Sequence, residues 1–378
     1  MGWQATLSLN SARHSFNGAD NAGVLEYISD FSGSAELLIS NIETRVEVLR
    51  NEVDLFPLTV NNTEYNSCYV CSPYTALISY SLEEIDKVDN RLFRVIARCL
   101  IPKLSSYLKR NRINQIVSIN NWLLSTNLYG GYSGKGLSDF TADLIKKYPE
   151  HALMFRSLNN HSNKELINSL HQCGYIMMPS RQVYIFDQAH KEFNKTQNYN
   201  YDCKLLNSTP LTYVPQQSIQ EADIKRIVEL YNLLYIKKYS VHNPMFTEEY
   251  IRCCLNSPLF YAEGFRNSAG QLEAVGIRFI RDNTVTLPIV GYDTSLPQSL
   301  GLYRLVMIST IKWAYENNMI FNASSGAPHF KRLRGAVPYI EYSAIYCRHL
   351  SAQRQRMWRS IAWGLERLIV PVMKKYQL

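Results

Sequence analysis

No stretch of this 378-residue chain is apolar for long enough to cross a bilayer. The most apolar segment near the end, "LERLIVPVM", is too short. The opening "MGWQATLSLNSARHSF" has no apolar core of signal-peptide length. No integral membrane segment is expected, and the cytoplasm is the expected compartment. The eight cysteines are scattered, and the single CxxC, Cys68-Tyr-Val-Cys71, has no second CxxC or Cys/His pair to complete a metal site. Thiols buried in a strand are expected there, with no disulfide-linked partner. "GYSGKGLSDF" (131–140) lacks the Gly-Lys-Ser/Thr ending of a phosphate loop, so it reads as a flexible loop. Acid is scarce where base is abundant. From Lys331 to Leu378 ten Lys/Arg face only Glu341 and Glu366, while the rest of the chain carries thirty of each sign. The whole net charge of +8 therefore sits in that last stretch. Such asymmetry points to an anionic partner or an acidic neighbouring surface.

What is present describes a folded protein. Hydrophobic residues make up 46%, charged residues 19%, and there are 26 tyrosines. The length is ample for a core and favours two domains.

Read in order, the first half opens with one expected helix, "SGSAELLISNIETRVEVLRNEV" (32–53), with Asp30 or Ser32 as its cap. Ser72-Pro73 then mark a helix start. "DKVDNRLFRVIARCLIPKLSSYLKR" has helical spacing through Leu92, Val95, Ile96, Cys99 and Leu100. "INQIVSINNWLLSTNLYG" reads as strand and turn. Next come the strand "HALMFRSLN", the helix "NKELINSLHQCG" and the strand "YIMMPSRQVYIFD", which together form an α/β module. The stretch 188–210 is polar, aromatic and unpatterned, so it is taken as a linker with a boundary near residue 205.

The second half runs strand ("LTYVPQ"), two helices, and a three-strand meander with turns at Asn267–Gly270 and Asp282–Asn283. A turn then feeds a long helix at "SLPQSLGLYRLVMISTIKWAYENN". The strand "MIFNASSG", a basic turn, the strand "PYIEYSAIYCRHL" and a basic amphipathic helix kinked at Pro371 complete the chain. The basic turn presents Lys331, Arg332 and Arg334 together. Cations clustered at a strand end meet phosphate, carboxylate or a developing oxyanion.

This element order resembles the GNAT acyltransferase fold over residues 211–350. Within it, "HFKRLRGA" is similar to the Phe-Lys-x-x-x-Gly element of the Fem-type aminoacyltransferase branch, here Phe330, Lys331 and Gly335. The first half resembles a second, degenerate lobe through "HALMFRSLN" and "YIMMPSRQVYIFD". The resemblance implies an α/β (α+β) fold of tandem GNAT-like lobes, each a mixed, mostly antiparallel sheet flanked by helices. The lobes would be 1–205 and 206–378, the second carrying the basic terminal helix. It implies an N-acyltransferase or aminoacyltransferase in a biosynthetic setting. The donor would be acyl-CoA, an acyl-carrier protein or aminoacyl-tRNA, with no tightly bound cofactor and no metal. The acceptor would be an amine on a small molecule or peptide.

On this reading Lys331 stabilises the oxyanion or grips the donor's phosphate. Glu263 and Asp293 are candidates for the general base, and Tyr342 for protonating the leaving group. Tyr342 and Tyr346 share parity with Ile340 and Ala344, so they face one side of their strand. Gln298, Ser299, Gly301, Arg304, Lys331 and Arg334 are the candidate donor-binding residues. Two departures stand out. Tyr303 occupies the place of a Gly or Ala in the acetyl-CoA loop, and Arg334 replaces the aromatic before the glycine of the Fem-type element. Arg156 and Arg181 are candidates for an anionic acceptor. The basic C-terminus suits an acidic carrier protein or tRNA. Two other readings stay open: a non-catalytic GNAT-like binding protein, and a membrane-peripheral protein. The latter would use a face formed by Trp358, Ile361, Ala362, Leu365, Ile369 and Val372.

Overall fold

The computed structural model describes residues 4–5, 19–31, 33, 35–50, 55–85 and 91–376. Twelve strands form one sheet. They are β1 (Gln4–Ala5), β2 (Arg45–Arg50), β3 (Leu55–Asn61), β4 (Ile116–Ile119), β5 (Ala152–Asn159) and β6 (Ile176–Phe186) in the first half. The second half supplies β7 (Thr212–Pro215), β8 (Phe260–Arg266), β9 (Leu272–Arg281), β10 (Thr284–Tyr292), β11 (Ile320–Asn322) and β12 (Val337–Tyr346).

Their order across the sheet is β1-β2-β3-β4-β5-β12-β6-β11-β10-β9-β8-β7. Exchanging each strand with the one six places away and reading from the other edge returns the same order. The two halves are thus related by a pseudo-twofold axis between β12 and β6. Each half has an antiparallel meander ending in a parallel pair, β4 with β5 and β10 with β11. Each half also sends its last strand to the centre. There β12 pairs with β5 on one side and β6 on the other, and β6 pairs with β11. This is the mixed, mostly antiparallel tandem architecture expected from the sequence.

Helices cover both faces because the strands carry apolar clusters on each side of the sheet. One face of the first half packs Phe140, Leu144, Leu166 and Leu170 against Phe155 and Ala344. The other packs Leu108, Met357 and Trp358 against Met154 and Ile345. In the second half the helix Leu302–Glu316 lies on one face, while Glu221–Tyr231 and Glu248–Asn256 lie on the other.

Three local expectations differ from what the chain does. The helix expected over 32–53 is a single turn, Ala35–Leu38, followed by β2. Arg45-Val46-Glu47-Val48 alternates, and pairing with β3 outweighs helix propensity. Asp30 ends a preceding helix, Ala19–Asp30, rather than capping this one. Cys68 and Cys71 lie in a turn, not a strand. The Cys68 Sγ donates to His242 O, and Cys71 Sγ bonds Ser67 Oγ, so both thiols hold the turn together. The stretch taken as a linker contains the helix Gln197–Ser208, capped by the Thr196 hydroxyl.

In "GYSGKGLSDF" a loop runs to Gly136, and Leu137 opens the helix Leu137–Lys147. The terminal helix passes through a wide turn at Leu365–Ile369 just before Pro371. Its Trp358 and Ala362 are buried, Ile361 and Leu365 pack beside them, and Ile369 and Val372 are exposed. No helix among the described residues is long and apolar enough to cross a membrane.

Candidate active site

The site begins where the sheet stops pairing. β10 and β11 run in parallel only over Thr284–Thr286 and Ile320–Asn322. Beyond that, β10 carries a bulge and continues to Tyr292, while the chain after β11 turns away at Ser324 (φ 60°). The strands part, one concavity opens just beyond the end of β10, and a second lies against both strands.

The first lies at the start of the helix Leu302–Glu316 and has a volume of ≈ 540 Å³. Gln298–Leu300 form a tight 3₁₀ turn, and Gly301 (φ 64°) caps the helix without a side-chain bond to its amides. An L-residue at 301 would be strained, and its Cβ would stand 2.6 Å from Leu205 Cδ2. The free amides and the helix dipole favour an anion here. Lys237, Lys238 and Arg304 supply cations around the rim, and Asp293 and Gln298 also line it. Ser299 is exposed on the same turn.

The second is a cavity of ≈ 460 Å³ between the two halves. Tyr303 lines both spaces, so its ring forms their shared wall. Lys331 enters from the short helix Pro328–Arg332. Its ammonium donates to the carbonyls of Ala323 (2.6 Å), Ser324 (3.2 Å) and Ser325 (2.7 Å). All three N–H bonds are therefore engaged. Burial, and then the nearby Arg181 guanidinium, lower its pKa to about 7.

Opposite Lys331, Arg181 donates to Glu341 from Nε (2.8 Å) and to Ser125 O from Nη2 (2.6 Å). Arg156 donates from Nη1 to Val70 O (2.7 Å) and Asn121 Oδ1 (2.9 Å). Burial lowers the Arg156 pKa. Both arginines and Glu341 line the cavity.

The other expected site residues divide. Arg304 and Arg334 meet at one carboxylate, that of fully buried Asp202. Asp202 comes from the helix Gln197–Ser208 and ties the donor-side turn to the basic turn. Arg334 also covers the Phe330 ring at 3.5 Å. Glu263 is fully buried in an ion pair with Arg278 (2.5 Å) and accepts from Tyr213 Oη and Ser309 Oγ. It lines neither space. Asp293 sits on the donor-side rim, but Arg226 holds it at 2.6 Å, and its other oxygen caps Ser295. Those contacts keep its carboxyl below the usual range, against the opposing effect of burial. Tyr342 packs into the first-half core with Ala344 and Tyr346, on the parity the sequence indicated, and turns away from the cavity. The residues on the opposite parity, Glu341 and Ser343, face it.

Sequence reasoning missed Glu341, Asp202 and Ser157. For Glu341 a signal existed: it is the one carboxylate on an alternating strand inside a strongly basic region. The sequence around Asp202 and Ser157 carried none.

No known family profile matches the chain, and no curated protein matches it. Solved structures do. L-PGS from Bacillus licheniformis aligns at TM-score 0.42 and 14% identity, over 60% of this chain and 76% of that one. A GCN5-related N-acetyltransferase from Kribbella flavida aligns at 0.32 and 11%, over 62% and 81%. FemX aligns at TM-score 0.52 and 8% identity, over 92% of this chain and 99% of the FemX chain. At that identity the likeness speaks to fold, and the fold is the Fem-type arrangement of GNAT-like lobes.

Proposed function

We propose that the protein transfers an acyl or aminoacyl group to an amine. The observation that carries this is the pair of spaces joined at Tyr303: an anion-favouring helix start on one side, a buried cation on the other. The donor's phosphates sit at Gln298–Gly301 with Lys237, Lys238 and Arg304. Its acyl carbonyl passes Tyr303 into the cavity.

The acceptor nitrogen attacks the carbonyl carbon, forming the C–N bond and an oxyanion. Collapse breaks the donor's C–S or C–O bond, and the amine proton leaves to the cavity's carboxylate, Glu341, or to solvent. Lys331 is the cation for the oxyanion, which would replace the longest of its three bonds, that to Ser324 O. One such donor supports about 10²–10³-fold in rate. The donor is an acyl-CoA, an acylated carrier protein or an aminoacyl-tRNA. The cytoplasm is the compartment where all three donor types occur.

The test is to add acyl-CoAs, acyl-carrier proteins and aminoacyl-tRNAs separately. Thermal stability and mass-detected transfer to amines are then followed. A donor that stabilises the wild type, with transfer lost in Lys331→Met, supports the reading. No stabilisation and no transfer from any donor favours a non-catalytic binding protein.

A further inference from the structure

Within β5, Arg156 and Ser157 are successive residues, and successive residues of a strand normally face opposite sides. Here both line the cavity. The cause is a bulge. Phe155 pairs with Ala344 and Leu158 with Tyr342, so Arg156 and Ser157 together oppose Ser343 alone. Ser157 takes φ 64°, a left-handed conformation that a serine adopts at a cost. The related exit from β11 has Ser324 at φ 60°. There the turn aims backbone carbonyls at Lys331. In β5 the bulge brings Ser157 into the cavity wall, and its Oγ is buried with no hydrogen-bond partner among the described residues.

The charge at this wall is also unbalanced. Arg181 has Glu341 as its carboxylate. Arg156 has no ion pair among the described residues; both of its hydrogen bonds leave from Nη1 to neutral oxygens. Tyr69 beside it is no counter-ion, since burial pushes its hydroxyl up to about 12. With Lys331 opposite, the cavity holds more positive than negative groups. A buried guanidinium without a counter-charge is costly, and an anion with a fork of acceptor oxygens relieves it.

We propose that Arg156 and Ser157 form an oxyanion-binding subsite for a ligand carrying a carboxylate or phosphate, its remainder lying against Met154, Met178 and Leu77. That this ligand is the amine acceptor rests on the transferase reading; the subsite itself does not.

The test is direct binding without any donor, by titration calorimetry at low salt. The probes are 3-phenylpropionate, phenyl phosphate and the neutral 3-phenylpropionamide. The wild type is expected to bind at least one oxyanion about tenfold more tightly than the amide, as a charge-assisted bidentate contact allows. Which oxyanion wins distinguishes a carboxylate ligand from a phosphate one. Arg156→Met should bring all three probes to within about twofold of each other. Ser157→Gly keeps the backbone conformation without strain and should weaken the oxyanions only. If Arg156→Met does not fold, Arg156→Lys and Ser157→Gly decide the matter, each being expected to lose part of the preference. Equal binding of amide and oxyanions by the wild type overturns the proposal, as does full preference in both folded variants. Preference without any acyl transfer sinks the transferase reading and leaves the subsite standing.

Discussion

Arg181 and Glu341 are register partners on β6 and β12, joined Nε to Oε1 at 2.8 Å where the two halves of the sheet meet. Glu341 is almost wholly enclosed, and Arg181 also fastens Ser125 and Thr126. Removing one partner strands the other's charge. Glu341→Gln should lower stability by about 3 kcal/mol, read by denaturant unfolding, whereas Arg181→Met with Glu341→Leu should cost much less. A double variant that costs as much as the two single variants added together would show that the pair is not coupled.

Lys331 gives a pH prediction. Its pKa is depressed to about 7 by burial and Arg181. The folded protein therefore binds fewer protons at this site than the unfolded chain between that value and the ordinary lysine range. Stability should rise with pH over that window, and the rise should be missing in Lys331→Met. If transfer needs the ammonium, its rate should fall as pH climbs through 7. Arg181→Met should move that fall to higher pH. A rate that instead increases through 7 would make Lys331 a proton acceptor rather than an oxyanion partner.

Asp202 holds Arg304 and Arg334 at once. Asp202→Asn should cost about 3 kcal/mol or more, since two guanidinium groups lose their carboxylate. Donor binding should weaken along with stability, because Arg304 lines the donor-side pocket. Unchanged melting in Asp202→Asn would mean that the helix Gln197–Ser208 is held by its apolar contacts alone.

Gly301 tests the donor turn by itself. Gly301→Ala meets both a φ of 64° and Leu205 Cδ2, so a loss of about 1–2 kcal/mol is expected. Donor affinity should fall several-fold while oxyanion binding at Arg156 is unaffected. Wild-type donor affinity in this variant would place the donor elsewhere.

Much of this was legible before folding. The strand–helix–meander order of residues 212–346 follows from periodicity and turn chemistry, and the parity of Tyr342 with Ala344 and Tyr346 was readable on β12. What was hidden depends on contacts far apart in the chain. Val46 and Val48 sit in a strand because β3 is beside them, not because of their neighbours. Asp202 looks like any acid in a polar stretch until Arg304 and Arg334 arrive from a hundred or more residues away. Glu263 reads as a cleft carboxylate on its strand, and only the position of Arg278 on β9 makes it structural. Ser157 owes its place to a bulge that exists only against β12.

The position of β12 also bears on how the molecule can be made. Residues 337–346 are synthesised after the other eleven strands of the sheet, yet they form the seam at its middle. Until they arrive, β5 has a bare edge, and β6 is paired only through β11. A nascent chain therefore carries an unzipped centre until these residues emerge, and a ribosome that stalls short of residue 337 leaves two half-sheets with sticky, facing edges. The same geometry makes a peptide spanning β12 the natural key for closing a chain that ends before it.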